Sequence, residues 1–260
     1  MGAPAEVRVV PTEADLTDDV AARLFSTLAH AQHERGTASL VLTGGGIMEK
    51  VMAAIGDSPG HDAVEWDKVD VYWGDERFVP SDSSDRNELP ARRLMLDRLP
   101  FDPARIHSMP ASDGAQSGPE EAAAAYARLL DAAARRDQGG HVPHFDVILL
   151  GIGPDGHCCS LFPEQPGVYE TEASVIAVRN SPKPPTILIS LTFPALDEAE
   201  QIWFVASGAT KADAVAMALS GAGRVQVPAA GPHGRSRTLW LLDEAAAARL
   251  PASLHPPAIS

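Results

Sequence analysis

The sequence predicts an α/β fold in which a mainly parallel sheet has helices on both faces. The first observation is that short apolar runs alternate with amphipathic stretches, which is the pattern of repeated strand–helix units. The second is size, because 260 residues with 45% hydrophobic side chains are enough for a large buried core. The third is that the 22 Pro and 21 Gly are too few to indicate a disordered or collagen-like chain.

The first third of the chain predicts three strands and two helices. Thr12 is of the type that caps helices, and apolar side chains recur after it at helical spacing, at Leu16, Val20, Leu24 and Leu28. The expected elements are a strand at residues 7–10, a helix from 12 to about 35, a strand at 39–42, a helix from about 47 to 55 and a strand at 69–73.

The rest of the chain continues the same alternation. A helix at 87–99 has Pro90 in its first turn, where proline is tolerated, and Pro119 opens a helix that runs to about 136. The most apolar strand, at 145–152, is expected to be central. Further strands are expected at 174–178, 187–192, 201–207 and 238–242, with helices at about 211–219 and 244–250. No repeat or long linker divides residues 1–260, so we expect one domain with a frayed, Pro-rich tail at about 251–260.

The charge of the chain restricts its partners. Its 35 acidic and 21 basic residues give a formal charge of −14, which argues against binding to nucleic acid or to an anionic membrane. An anionic small molecule would need a local basic pocket. No run approaches the roughly 20 apolar residues of a membrane helix, and the N-terminus lacks a signal-peptide pattern. The only cysteines, Cys158 and Cys159, are adjacent and form no disulfide framework, so the cytoplasm is the expected compartment.

Ligands of open parallel sheets bind beyond the carboxyl ends of the strands, so the loops after those ends are the candidate site. After the second strand, Thr43-Gly44-Gly45-Gly46 leads into a helix, which favours either phosphate binding at the helix N-terminus or a tight turn. After the third strand, the loop at 74–77 carries Asp75, Glu76 and Arg77. Charged loop residues are commonly only solvated, but this position favours a function.

The loop at 151–157 contains a literal G-x-G-x-x-G, the dinucleotide fingerprint. Two features argue against that interpretation: Pro163 follows too soon for a long crossover helix, and Arg179 replaces the acidic residue that would hold a ribose. General-base chemistry fits better, with His157 accepting a proton and Asp155 orienting its ring. The run His157-Cys158-Cys159 predicts no metal, because contiguous residues rarely converge on one ion.

Two lysines are candidates for binding an anion. The prolines around Lys183 would fix its direction, although the same segment could be only a rigid connector. Lys211 lies in the first turn of a predicted helix, where a cation is unfavourable for the helix dipole. An anion held between Lys211 and the helix start would explain that placement.

Several segments, taken in order over roughly residues 40–215, resemble one family closely. They are LTGGG (42–46), WGDERFVP (73–80), DRN (85–87), GIGPDGH (151–157), SLFP (160–163), SPKPP (181–185), and Gly208 with Lys211-Ala212. They are similar to the motifs of the 6-phosphogluconolactonases, within the wider glucosamine-6-phosphate isomerase/6-phosphogluconolactonase family. The combination of Asp-Gly-His, Leu-Phe-Pro and Asp-Glu-Arg is highly specific, and TLWLLD (238–243) resembles the actinobacterial members.

The resemblance implies a Rossmann-like fold and hydrolysis of 6-phospho-D-glucono-1,5-lactone in the oxidative pentose phosphate pathway, without metal or cofactor. It implies that His157 activates water with the help of Asp155, and that Arg77 and Lys211 bind the phosphate. The candidate substrate-binding residues are Thr43, Gly44, Gly45, Gly46, Asp75, Arg77, Gly153, Lys183, Arg179 and Lys211. The only partner expected is this small sugar-phosphate lactone, with no nucleic acid and no membrane, and a monomer is compatible with the sequence.

The sequence departs from the family pattern at three places. Leu188 stands where the family usually has Arg, which removes a positive charge near the expected site. Cys158-Cys159 replaces a more usual Thr-Ala or Ile-Asn pair, and the Gly loop before Ile47 is shorter than in related actinobacterial chains.

The residues are also compatible with three alternative functions. The sister activity, glucosamine-6-phosphate deamination, is disfavoured because that branch has Tyr in place of Arg77 and an Asn-Glu-Pro segment after Asp-Gly-His, where this chain has Leu161-Phe162-Pro163. A non-catalytic sugar-phosphate sensor would not need His157 and Asp155. A dinucleotide oxidoreductase is the third.

Overall fold

Residues 5–135 and 140–254 are described by the computed structural model, and they form nine strands and seven α-helices. The strands are β1 (Ala5–Val10), β2 (Ala38–Leu42), β3 (Val69–Trp73), β4 (Asp75–Arg77), β5 (Val147–Leu150), β6 (Val175–Arg179), β7 (Ile187–Leu191), β8 (Gln201–Ala206) and β9 (Arg237–Asp243). The helices are α1 (Glu13–Arg35), α2 (Gly46–Asp57), α3 (Glu88–Ala91), α4 (Pro119–Ala134), α5 (Phe193–Leu196), α6 (Ala212–Leu219) and α7 (Glu244–Ala247).

Six of the described strands form a parallel sheet, the main sheet, in the order β1-β9-β8-β5-β2-β3. β5 lies between β8 and β2, and all four of its residues are buried, as its apolar sequence predicts. Helices surround this sheet, so the predicted α/β fold with a mainly parallel sheet is confirmed. Over the described ranges, no helix combines the length and apolar character needed to cross a bilayer.

The remaining described strands form an antiparallel sheet, the small sheet, in the order β4-β7-β6. The expectation of a loop at 74–77 is wrong for Asp75–Arg77, which form β4. Sequence patterns miss this strand because it is short and wholly polar. β4 pairs with β7, which satisfies its backbone, and the buried carboxylates of Asp75 and Glu76 accept hydrogen bonds from donors inside the protein. These contacts offset the cost of burying a polar strand.

Gly74 joins the two sheets. Its N–H donates to the carbonyl of Leu42 in the main sheet, and its carbonyl accepts from the N–H of Leu191 in the small sheet, both at 2.8 Å. A Cβ at this position would lie 2.8 Å from Thr43 Cγ2 and 3.0 Å from Cys159 Sγ. Glycine is therefore required where β3 leaves one sheet and β4 enters the other.

Local sequence signals set the ends of α1. Thr12 accepts from the N–H of Asp15 and the Asp15 side chain accepts from the N–H of Thr12, which is a complete capping box. At the other end Gly36 has φ of 79°, the left-handed conformation that ends helices. The predicted helix from 12 to 35 is therefore confirmed.

Several predicted bounds need correction. The helix expected at 87–99 is short, because α3 is followed by a π turn at Arg92–Leu96. The last turn before α6 is a 3-10 turn at Ala209–Lys211, so Lys211 precedes the α-helix. In the predicted tail, Ala252–Leu254 form a 3-10 turn, and residues 255–260 lie outside the described residues, as does residue 136 at the predicted end of α4.

Candidate active site

A cavity of about 130 Å³ opens at the carboxyl ends of β2, β3 and β5, where the sequence places the candidate loops. Its walls come from the loop after β2, from β4 and the loop before α3, and from the loop after β5. The lining residues are Thr43, Gly44, Gly45, Asp75, Arg77, Asn87, Gly151, His157 and Cys159. Main and small sheets thus contribute to one site.

His157 and Asp155 form a hydrogen-bonded pair, with 2.6 Å between Nδ1 of the ring and Oδ1 of the carboxylate. Burial raises the pKa of Asp155, but the hydrogen bond and the charge of His157 outweigh it and hold this pKa at about 2. An ionised carboxylate accepts, so Nδ1 carries a proton, and in the neutral ring Nε2 is the acceptor. The His157 side chain is 25% exposed, so water reaches it.

Two glycines give the loop after β5 the room that this pair needs. A Cβ on Gly153 would lie 2.1 Å from Nδ1 of His157 and 2.4 Å from Oδ1 of Asp155. Gly156 has φ of 86° and donates to the carbonyl of Gly153 at 3.0 Å. The glycine pattern that matches the dinucleotide fingerprint therefore folds a tight loop around an imidazole and a carboxylate.

An apolar cluster lies behind His157. The Phe162 ring centroid is 4.8 Å from that of His157, and Phe162 packs with Val178 and Leu188. Leu188 is 5% exposed and pairs directly with Arg77 across β7 and β4. The position where the resemblance predicts an arginine is thus adjacent to the site, and here an apolar side chain fills it.

Arg77 is held by Asn87, a residue not among the site residues predicted from the sequence. Nη1 of Arg77 donates to Asn87 Oδ1 at 2.7 Å and to the carbonyl of Asp85 at 2.8 Å. Asn87 Nδ2 donates in turn to the Asp75 carbonyl at 3.0 Å. A Cβ on Gly44 would lie 1.8 Å from Asn87 Oδ1, so the glycine loop admits this amide. The signal for Asn87 was its place in the Asp85-Arg86-Asn87 segment.

Asp75 is a buried carboxylate on the cavity wall. It is 8% exposed and accepts from Ser160 Oγ at 2.7 Å. Burial raises its pKa, while the Ser160 hydrogen bond and the charges of Arg77 and His157 oppose the rise. Asp75 therefore lies within electrostatic range of both the arginine and the imidazole of the site.

Lys211 and Lys183 bring positive charge to the side of the site that holds Asp155. The pKa of Lys211 is lowered by burial and by the charge of Lys183, and Asp155 opposes this effect. These three groups therefore lie within electrostatic range of one another. The side chain of Lys183 is exposed.

Arg179 does not line the cavity. Its guanidinium makes two hydrogen bonds, of 2.7 and 2.9 Å, to the carboxylate of Glu120 on α4. Thr43 lines the cavity but donates its hydroxyl to the Leu149 carbonyl at 3.0 Å, which ties β2 to β5. Gly45 and Gly46 form the cap and first residue of α2, and Gly45 has φ of 112°.

The two cysteines are neutral, and the described residues hold no cluster of metal ligands. Cys158 and Cys159 are buried, and burial raises the pKa of both thiols, so they are neutral near pH 7. In the part of the chain that the structure describes, no group of three or more His, Cys, Asp or Glu side chains has an arrangement that could hold a metal ion.

A family model described as glucosamine-6-phosphate isomerases/6-phosphogluconolactonase matches residues 11–240. The chain belongs to this family. Its relatives include the 6-phosphogluconolactonase of Streptomyces coelicolor, 54% identical over 244 residues that make up 94% of each chain. The 6-phosphogluconolactonase of Mycobacterium tuberculosis is 45% identical over 248 residues, 95% of this chain and 99% of the relative.

The family's fold is also shared. The solved 6-phosphogluconolactonase of Trypanosoma brucei superimposes with a TM-score of 0.81 at 25% identity, over 96% of this chain and 100% of the other. The resemblance predicted from the sequence motifs is confirmed, and with it the prediction of an enzyme of the lactone-hydrolase type.

Proposed function

We propose that this chain hydrolyses 6-phospho-D-glucono-1,5-lactone to 6-phospho-D-gluconate, as the names of its relatives indicate, in the oxidative pentose phosphate pathway. The observation that carries the proposal is the His157–Asp155 pair, whose imidazole lines the same cavity as Arg77. The family relationship supports the substrate, and the geometry supports the roles of the residues.

In the proposed reaction Nε2 of His157 takes a proton from water while the water oxygen bonds to C1 of the lactone. Asp155 remains ionised, holds Nδ1–H and stabilises the imidazolium that forms. The C1–ring oxygen bond then breaks, and the proton on His157 passes to the leaving ring oxygen. A δ-lactone is already a reactive ester, so the roughly 10²–10⁴-fold that a general base supplies is sufficient.

The phosphate serves as a handle that places C1 near His157. Arg77 offers a planar fork suited to phosphate oxygens, and Asn87 fixes its direction. Lys211 and Lys183 add positive charge near Asp155. Arg179 has no role in this proposal, because Glu120 already neutralises it.

The decisive experiment follows acid release from freshly made lactone at neutral pH, with spontaneous hydrolysis subtracted. We expect His157→Ala to keep its fold by circular dichroism and to lose at least about 10²-fold in kcat. An unchanged rate would remove His157 from the mechanism. Release of ammonia from glucosamine 6-phosphate without acid from the lactone would instead favour the deaminase activity that the family description also names.

A further inference from the structure

Glu76 is the buried residue between two residues of the cavity wall. Strand β4 alternates its side chains, so Asp75 and Arg77 face the cavity and Glu76 points the opposite way, into the protein. Its side chain is 1% exposed. A carboxylate is costly to bury without partners, so its contacts explain why it is there.

Three backbone N–H groups converge on the Glu76 carboxylate. Oε1 accepts from the N–H of Arg77 and from the N–H of Asn87, both at 2.7 Å. Oε2 accepts from the N–H of Glu88 at 3.0 Å, and Arg86 Nη2 lies 3.6 Å away. One carboxylate therefore joins the main chain of β4 to the main chain at the start of α3.

The two residues that share Oε1 are the two that form the cationic arm of the site. The Arg77 guanidinium and the Asn87 side chain are hydrogen-bonded at 2.7 Å, and the Asn87 amide fits against Gly44 with no room for a Cβ. A small shift between β4 and α3 would therefore move the guanidinium relative to the glycine loop. Displacements of about 1 Å in such positioning groups cost up to 10²-fold in rate.

We propose that Glu76 is a positioning residue for the phosphate of the substrate, holding the backbones of Arg77 and Asn87 in the register that presents the guanidinium to the anion. This inference rests on the proposed function, because it concerns the same phosphate. It adds a residue that touches no substrate and that is not among the candidate substrate-binding residues predicted from the sequence.

The charged groups around Glu76 fit this role. Arg86 is 2% exposed and bridges Glu76 and Glu88, while its Nη2 also donates to the Met109 carbonyl at 2.8 Å. Tyr126 lies within electrostatic range from α4. Burial raises the pKa of Glu76 to about 7, and the charge of Arg86 and the three N–H donors limit the rise. Above that pH the ionised form, which accepts all three N–H groups, predominates.

The test compares Glu76→Gln with Glu88→Gln at pH 8. Glutamine is isosteric, but its NH₂ cannot accept, so at least one of the three backbone N–H groups that converge on Glu76 loses its acceptor. Glu88 is the matched control, because its carboxylate contacts Ser108, Arg92 and Arg86 and none of the arm's backbone N–H groups. Both variants are assayed with the phosphorylated lactone and with glucono-1,5-lactone, which lacks the phosphate.

For Glu76→Gln we expect KM for the phosphorylated lactone to rise about 10-fold with kcat within about threefold, and no change for glucono-1,5-lactone. For Glu88→Gln we expect both substrates to keep their wild-type KM. Equal losses on the two lactones, or an unchanged KM for the phosphorylated one, would overturn the proposal. If Glu76→Gln fails to fold, Glu76→Asp replaces it. The shorter aspartate cannot reach the main chain of both β4 and α3, so we expect the same rise in KM for the phosphorylated lactone alone.

Calorimetric titration with inorganic phosphate separates this inference from the proposed function. If the wild-type protein does not hydrolyse the lactone, the proposed function fails, whereas weaker phosphate binding by Glu76→Gln than by Glu88→Gln still supports the positioning role. Equal phosphate binding by the two variants refutes that role whatever the activity.

Discussion

Adding one methyl group at Gly153 should separate His157 from Asp155, the proposed catalytic pair. In Gly153→Ala the new Cβ would lie 2.1 Å from Nδ1 of His157 and 2.4 Å from Oδ1 of Asp155. Non-bonded carbon contacts are relaxed at about 3.5 Å, so the ring and the carboxylate must each move by roughly 1 Å. Both atoms are near the ends of side chains that can rotate, so we expect the hydrogen bond to break while the fold survives.

The expected loss follows from what the pair supplies. Without the ionised carboxylate on Nδ1, His157 loses both its orientation and the stabilisation of its protonated form. General-base catalysis accounts for about 10²–10⁴-fold, so kcat should fall at least 10²-fold, equivalent to about 2.7 kcal/mol in the barrier. The melting temperature should change by only a few degrees.

Gly151→Ala is the matched control for that variant. Gly151 lines the same cavity, but a Cβ there meets nothing within 4 Å. Its methyl group reports what added bulk does to KM, while kcat should remain within about threefold of wild type because the pair is untouched. Lactonase assays of both variants decide the matter: a Gly153→Ala enzyme with wild-type kcat would show that the 2.6 Å contact is not needed for the chemistry.

Two further predictions concern stability. Leu188→Arg should lower the melting temperature by several degrees, because it places a cation in an apolar cluster opposite Arg77, at a cost of roughly 1–3 kcal/mol. A melting curve that matches wild type would contradict this prediction and show that the new guanidinium reaches the cavity instead of being buried in the apolar cluster. The pKa of Glu76 is raised from 4.5 to about 7 in the folded state, so its contribution to stability is complete below about pH 4.5 and is lost as the pH rises through 7. Between pH 5 and pH 8 the free energy of unfolding in urea should therefore fall by up to about 3 kcal/mol more in the wild type than in Glu76→Gln, and parallel pH profiles would contradict the shift.

The sequence predicts the main sheet well because its strands are continuous apolar runs. β3 at Val69–Trp73 matches the expected bounds, and the other strands of the main sheet agree to within a few residues. β4 escapes prediction because its side chains are polar and its partner, β7, is distant in sequence. No local pattern contains that pairing.

In the candidate site, too, features within one segment could be predicted from the sequence, and features that depend on contacts between distant segments could not. The loop that holds Asp155 and His157 could be predicted because both residues and their glycines lie in one short segment. The roles of Asn87 and Glu76 could not, since they depend on the approach of α3 to β4. The position of Arg179 in the sequence predicts that it lies in the site. In the structure, however, its charge is neutralised by Glu120 on α4, which is distant in the chain.

The junction at Gly74 has a consequence for the thermodynamics of binding. The proposed general base, His157, follows a strand of the main sheet, and the cationic arm lies on the small sheet. Gly74, which has no space for a side chain, is hydrogen-bonded to both sheets. The distance between base and arm is therefore fixed when the chain folds. The conformational entropy of arranging them is lost during folding, so binding of the lactone must offset only the freedom of the ligand and of a few surface side chains.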